Sequence, residues 1–238
     1  MADLESFRDD VRSWLEANAP KSLVGTTGGD LEGNWGGRKA KYANPDMKRW
    51  LDLCAERGFT APEWPREYGG GGLSREETKV LRQELARAKL PAPLIGFGLT
   101  MIGPTLLMFG NEEQKQEHLP RICRGEIRWC QGYSEPGAGS DLAGLQTRAV
   151  RDGDEFIVNG QKTWTSYADL ADWMFCLVRT DPNAKKQQGI SFLLIDMKSP
   201  GVSVHPVITM EGDHEVNETH FEDVRVPVEN LIGKENQG

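Results

Sequence analysis

Gln131-Gly132-Tyr133-Ser134-Glu135-Pro136-Gly137-Ala138-Gly139-Ser140-Asp141 is the stretch around which this chain is organised. Tyr133 suits a strand, and Pro136 cannot continue a paired ladder. Gly137 and Gly139 give the backbone freedom and leave room beside it. Successive N–H groups in such a loop can cradle a pyrophosphate. An ordinary glycine–proline turn has the same composition, and the loop departs from each known phosphate motif at a defined position. A dinucleotide fingerprint starting at Gly137 needs glycine or alanine where Leu142 stands. A P-loop starting at Gly139 reaches Gly144 in register, then meets Leu145 instead of lysine. A nucleophile elbow around Ser134 needs glycine where Pro136 stands. The loop is therefore neither a nicotinamide fingerprint, an ATP loop nor a hydrolase elbow.

A second stretch adds to the first. Asn159-Gly160 is a strong hairpin signal between Glu155–Val158 and Gln161–Ser166. In the returning strand Trp164 and Ser166 are two residues apart, and i and i+2 share a face. The pair would offer an aromatic plane and a hydroxyl to a flat heteroaromatic ring; a core tryptophan beside a solvated serine has the same spacing.

Together the two stretches resemble the signatures of the acyl-CoA dehydrogenase family. Ser134 to Asp141 matches Ser/Thr-Glu-Pro-Gly-Ala-Gly-Ser-Asp without a gap, and Asn159, Gly160, Lys162, Trp164 and Ser166 match Asn-Gly-x-Lys-x-Trp-x-Ser/Thr. Trp64-Pro65-Arg66-Glu67-Tyr68-Gly69-Gly70 and Phe221-Glu222-Asp223-Val224-Arg225-Val226-Pro227 extend the likeness over nearly the whole chain. The resemblance implies oxidation of an acyl-CoA to the 2,3-enoyl-CoA, with FAD as cofactor and an electron-transferring flavoprotein as acceptor. Residue by residue, it implies that Ser134 and Ser166 offer hydroxyls to the flavin ring and that Trp164 lies against it. Gly139 and Ser140 would approach the pyrophosphate, and Ser140 also the phosphopantetheine arm of the substrate. Gln131 and Tyr133, on the strand leading into the first signature, and Thr165, within the second, complete the expected cofactor site. Tyr133 stands where the family usually has a small aliphatic residue, Gln131 often replaces an aromatic, and the two serines replace common threonines. Acyl-CoA oxidases and flavin-dependent monooxygenases on the same scaffold therefore stay open.

Family members continue past the equivalent of Pro227 into a helical bundle that supplies the catalytic base and most of the oligomer contacts. The chain is thus expected to be an enzyme fragment without that base, forming a homotetramer or homodimer when full length. The alternative is a naturally short, non-catalytic FAD- or CoA-binding subunit of a heteromeric complex.

Composition agrees with these readings. A net charge of -8, from 28 basic and 36 acidic residues, argues against a nucleic-acid partner. Cys54, Cys123, Cys130 and Cys176 lack paired metal spacing and read as reduced core residues. The acidic, amphipathic first twenty residues are unlike a targeting peptide, so a cytoplasmic address is expected. The apolar run Leu94–Phe109 is too short for a membrane span and is broken by Gly103 and Pro104.

Periodicity divides the chain. Leu4, Phe7, Val11 and Leu15 predict a helix over 3–18; Asn44-Pro45 and the boxes Ser74/Glu77 and Asn111/Gln114 predict three helix starts. Lys21–Ala43 reads as a long loop, a possible mobile cover for a wide substrate. From residue 127 the pattern alternates, with strands predicted near 127–134, 145–151, 155–158, 161–166, 173–179, 190–196, 202–208 and 215–221. The expected class is α+β: an all-helical domain over 1–126, then a small antiparallel β-barrel or sandwich over 127–228, then a linker over 229–238. Gly96, Gly98 and Gly103 read either as width for a branched, aromatic or ring-bearing acyl group or as plain packing.

Overall fold

The computed structural model describes residues 2–26 and 32–238. The middle of the Lys21–Ala43 loop lies outside the described residues.

The helical part follows its sequence signals closely. Helix α1 (Ala2–Asn18) buries Val11 and Leu15. Helix α2 (Pro45–Glu56) starts where the Asn44 side chain accepts the Asp46 N–H, and buries Met47, Trp50, Leu51 and Cys54. Helix α3 (Arg75–Arg87) opens on the complete Ser74/Glu77 capping box. Arg8 and Arg12 of α1 reach across to the buried Glu84 of α3 at 3.0 and 3.1 Å. These two guanidinium groups, with Arg87 on the same carboxylate, hold Glu84 down at about 2 against the opposing effect of burial; the Arg12 hydrogen bond is the largest cause. Trp14, Trp50 and Phe59 form the aromatic centre of this bundle.

The apolar run after Pro93 forms one turn of π-helix (Gly98–Ile102) continued by α4 (Gly103–Phe109). Only its inner side is buried. Ile102 and Leu106 face the core, whereas Met101, Met108 and Phe109 remain exposed. The three glycines of this region serve packing. A Cβ on Gly103 would lie 2.0 Å from the Trp64 ring, one on Gly96 would lie 2.9 Å from Trp35, and one on Gly98 3.0 Å from Ile122. Helix α5 (Glu112–Cys123), opened by the Asn111/Gln114 box, completes this part.

Eight strands follow: β1 (Trp129–Gly132), β2 (Arg148–Asp152), β3 (Glu155–Ser166), β4 (Trp173–Arg179), β5 (Ile190–Asp196), β6 (Val202–Val207), β7 (Val216–Pro227) and β8 (Leu231–Ile232). They form one sheet in the order β6-β7-β3-β2-β4-β5-β8, with β1 alongside β4. Of the expected barrel or sandwich, the closed barrel is excluded. The sheet is open, with β6 and β8 as its edges, because no ladder joins them. Nor is it wholly antiparallel, since β1 and β2 both run parallel to β4. Trp129, Phe175, Leu177, Phe192 and Leu194 pack toward the helices. On the other face Cys130, Met174, Cys176, Leu193 and Ile195 meet Phe156, Val158, Phe221 and Val224, so the sheet curls until its two halves enclose a second core.

The Asn159-Gly160 hairpin is also corrected. Glu155–Ser166 is one continuous strand, and the two-residue turn lies earlier, at Gly153-Asp154. Asn159-Gly160 instead marks an irregularity in the β3–β7 register, where Asn159 exchanges two bonds with Asp223 and Asp223 takes φ 49°. Gly160 is required because a Cβ there would come within 2.7 Å of the Thr147 Cα. Bulges and hairpin turns ask for the same residues, which is why the dipeptide misleads.

The helical part and the sheet are sewn together at Asp172. This fully buried carboxylate accepts the Arg38 N–H, the Arg38 Nε and the Arg128 N–H, each at 2.9 Å. The Arg128 guanidinium lies 4.6 Å from the centroid of the Trp35 ring and 5.0 Å from that of Tyr167. All four cysteines are buried and unpaired, and no described helix is long and apolar enough to cross a membrane.

Candidate functional site

The two signature stretches, 20 to 30 residues apart in sequence, meet at the end of β1. The Thr163 N–H donates to the Ser134 carbonyl at 2.9 Å. Lys162, completely buried, donates to the Tyr133 carbonyl at 3.2 Å and to Glu135 Oε1 at 2.8 Å. Glu135 in turn accepts the N–H groups of Gln146 and Thr147 at 2.6 and 2.9 Å. Its carboxylate therefore closes residues 135–147 into a loop while Lys162 neutralises it. Burial, the largest influence, pushes the Glu135 carboxyl up, but the charge and hydrogen bond of Lys162 with the two N–H donors together bring it below the ordinary value. An acid tied this way is a structural anchor and a poor proton acceptor.

Within the loop, Glu135 and Ala138 exchange both backbone bonds at 3.0 Å around Pro136-Gly137. Ala138 is buried, whereas Gly137, Gly139 and Ser140 form an exposed rim. A Cβ added at Gly137 or Gly139 would meet nothing within 4 Å, and neither residue has a left-handed backbone. The fold of this chain makes no use of their smallness. They leave the rim open to close approach by another molecule, so the residues fit a diphosphate group there.

Trp164 stands beside this loop with φ 57°, at a second break in the β3–β7 register, and is 64% exposed. A bulky residue in the left-handed region is strained, and such strain gathers at ligand sites. The large exposed ring held there suits a flat aromatic ligand. Ser166 is half-buried just past that register break, and Ser134 is half-buried at the loop's start. Thr165, by contrast, lies inside. It is 1% exposed, and its hydroxyl has no partner.

Gln131 meets the π-turn and Tyr133 shares a pocket with α4. The Gln131 amide lies 3.7 Å from the Met101 sulfur. Tyr133 makes edge contacts with Phe175 and Phe192, and burial raises its phenol above the ordinary value. Thr105, Phe109, Tyr133, Leu177, Phe192 and Ile232 line much of a mostly apolar pocket of about 330 Å³. Sequence patterns did not single out Met101 or Phe109, since a run of apolar residues conceals which ones point outward. They also missed Arg179, whose part in the loop depends on carbonyls from two distant segments.

Comparison with known proteins decides the family. The acyl-CoA dehydrogenase N-terminal domain matches residues 2–126 and the acyl-CoA dehydrogenase middle domain matches residues 130–224. The chain belongs to the acyl-CoA dehydrogenase family. It is 41% identical over its whole length to the acyl-CoA dehydrogenase IpdE1 of Mycobacterium tuberculosis, of which it covers 60%. Among solved structures, the Tcur3481-Tcur3483 steroid ACAD aligns over the whole chain and 59% of its own, at 37% identity and TM-score 0.74. The ChsE4-ChsE5 complex from Mycobacterium tuberculosis aligns over the whole chain and 57% of its own, at 37% identity and TM-score 0.72. The chain thus spans about 60% of the length of these three relatives.

Proposed function

We propose that this chain is the helical and sheet portion of an FAD-dependent dehydrogenase that converts an acyl-CoA thioester to the 2-enoyl-CoA. The observation that carries the reading is the meeting of the open-rimmed Gly137–Ser140 loop with the strained, exposed Trp164 through the Thr163–Ser134 bond. FAD, when bound, supplies the acceptor for the β-hydride. Around it, Trp164 would flank the flavin ring, the Ser134 and Ser166 hydroxyls would donate to its edge, and Gln131 and Tyr133 would frame it, with the buried Thr165 taking part only through its backbone. Gly139 and Ser140 would lie along the diphosphate, and Ser140 also beside the phosphopantetheine arm. Donors aimed where charge develops would stabilise the transition state. Glu135 is unsuited to removing the α-proton, being neutralised by Lys162. That carboxylate is assigned to the part of the family's length that this chain does not span. Electrons would leave to an electron-transferring flavoprotein, and the domain limits 1–126 and 127–228 are proposed as the two folding units.

The acyl group is proposed to be bulky and ring-bearing. The glycines that first suggested width are taken up by packing, so support rests on the steroid ACAD among the similar structures and on the open apolar surface of Met101, Met108 and Phe109. A second reading, a subunit working in a heteromeric complex, is favoured by the two-component names of both similar structures.

The test is to purify the intact protein with added FAD and titrate its flavin with a panel of acyl-CoAs. Bound flavin, bleached best by ring-bearing thioesters, is expected. Absence of flavin absorbance would refute the cofactor, and preference for an unbranched long-chain thioester would refute the substrate class. Ser166→Ala should lower FAD affinity or slow bleaching by roughly fivefold, the loss of about one hydrogen bond worth ~1 kcal/mol.

A further inference from the structure

Arg179, at the end of β4, is 7% exposed. Its guanidinium donates to the carbonyls of Ala143 (2.6 Å) and Leu145 (3.4 Å) on the return limb of the 135–147 loop, and of Lys186 (3.2 Å) and Gln188 (2.6 Å) on the β4–β5 loop. Its own N–H donates to the Thr147 carbonyl at 2.7 Å. Every partner is a neutral oxygen. The other cations bonded to this loop are matched, Lys162 by Glu135 and Lys186 by Asp141. Among the described residues Arg179 forms no ion pair.

A buried cation without a counter-ion is expensive unless something of opposite charge shares its field. Carbonyl oxygens solvate it without cancelling its charge. The loop it supports presents an exposed rim, Gly137 to Ser140, with no Cβ contact anywhere near its two glycines. We propose that Arg179 is a positioning residue for a diphosphate. It clamps the return limb of the loop and leaves an uncompensated positive charge on the loop that carries the rim, so that a diphosphate completes the charge balance that the chain alone leaves open. This rests on the cofactor reading above. FAD and coenzyme A both carry a diphosphate, and either would satisfy it.

The intact protein, freed of ligand, is titrated with FAD, with coenzyme A and with riboflavin, which has the flavin ring but no phosphate. Arg179→Met is expected to weaken binding of a diphosphate compound about tenfold, the order of one partly screened charge removed at loop distance, to flatten the salt dependence of that binding, and to leave riboflavin unchanged. Arg179→Lys keeps the charge and should recover part of the loss. Weakening of FAD alone names FAD as the diphosphate source, and weakening of coenzyme A alone names the substrate. Equal loss for all three compounds, or Arg179→Lys as poor as Arg179→Met, would overturn the electrostatic role and leave only a clamp. If Arg179→Met does not fold, the pair Arg179→Lys and Arg179→Gln reads the same contrast. A wild-type protein that binds riboflavin but neither diphosphate compound would overturn the proposal. One that binds none of the three overturns the cofactor reading with it.

Discussion

Glu135 and Lys162 are the residues on which the site's geometry depends. Both are almost wholly removed from water, and each satisfies the other at 2.8 Å while also holding backbone. Removing one partner leaves a buried charge alone, so Lys162→Met should cost about 3–5 kcal/mol, whereas Glu135→Gln with Lys162→Met together should cost distinctly less than the sum. Urea denaturation of the three variants measures this. His118 is the other buried titratable group of consequence. It is 1% exposed between the rings of Trp129 and Trp173, and its Nδ1 lacks a partner. Desolvation first, and the charge of Arg121 second, lower its imidazole from 6.5 to about 4. The folded value lies below the unfolded one, so the unfolded chain takes up the proton first as pH falls. Stability is full above about 6.5 and declines toward pH 4, by up to about 3 kcal/mol. His118→Phe should flatten that part of the stability–pH curve, and unfolding midpoints at pH 7 and 4.5 check it.

At the scale of elements, the segment Gly98–Phe109 matters most for the pocket. It begins as a π-turn, a form often found at functional sites, and its exit into α4 is set by the contact of Gly103 with Trp64. Gly103→Ala would force a methyl to within 2.0 Å of the Trp64 ring. Because α4 presents Thr105 and Phe109 to the apolar pocket, the shift should change acyl-chain preference as well as stability. A loss of about 1–3 kcal/mol is expected from overpacking, read as a lower melting temperature with altered relative rates across acyl-CoAs. An unchanged melting temperature would mean that Trp64 yields freely.

For the whole molecule, Asp172 joins the helical part to the sheet. Three donors converge on it, from Arg38 and Arg128. Asp172→Ala leaves the Arg128 N–H buried without its acceptor and frees the segment around Arg38, for an expected loss of about 3 kcal/mol. Limited proteolysis should then cut near Arg38 faster than in the wild type, while cleavage within the β3–β7 pair stays slow. The exposed face bearing Met101, Met108 and Phe109 meets the sheet at Gln131, which reaches the Met101 sulfur.

The helix starts at Asn44, Ser74 and Asn111, the buried faces of α1 and α2, and strands β4 and β5 were all legible in the sequence. Caps and hydrophobic periodicity act over a few residues and need no distant partner. The signature from Ser134 to Asp141 was legible for the same reason, as a contiguous motif. Tertiary structure alone decided the rest. Whether Asn159-Gly160 turns the chain or bulges it depends on Asp223, 64 residues away. The glycines of Gly96–Gly103 are spoken for by Trp35, Ile122 and Trp64. The sheet is open and mixed because β1 and β2 both pair with β4 across long connections, a choice no local pattern encodes. Charge balance around the loop is likewise invisible locally, since Arg179 reaches carbonyls that only the folded chain brings together. Local signals set where elements form, and long-range bonds set which of their residues are left free for a ligand.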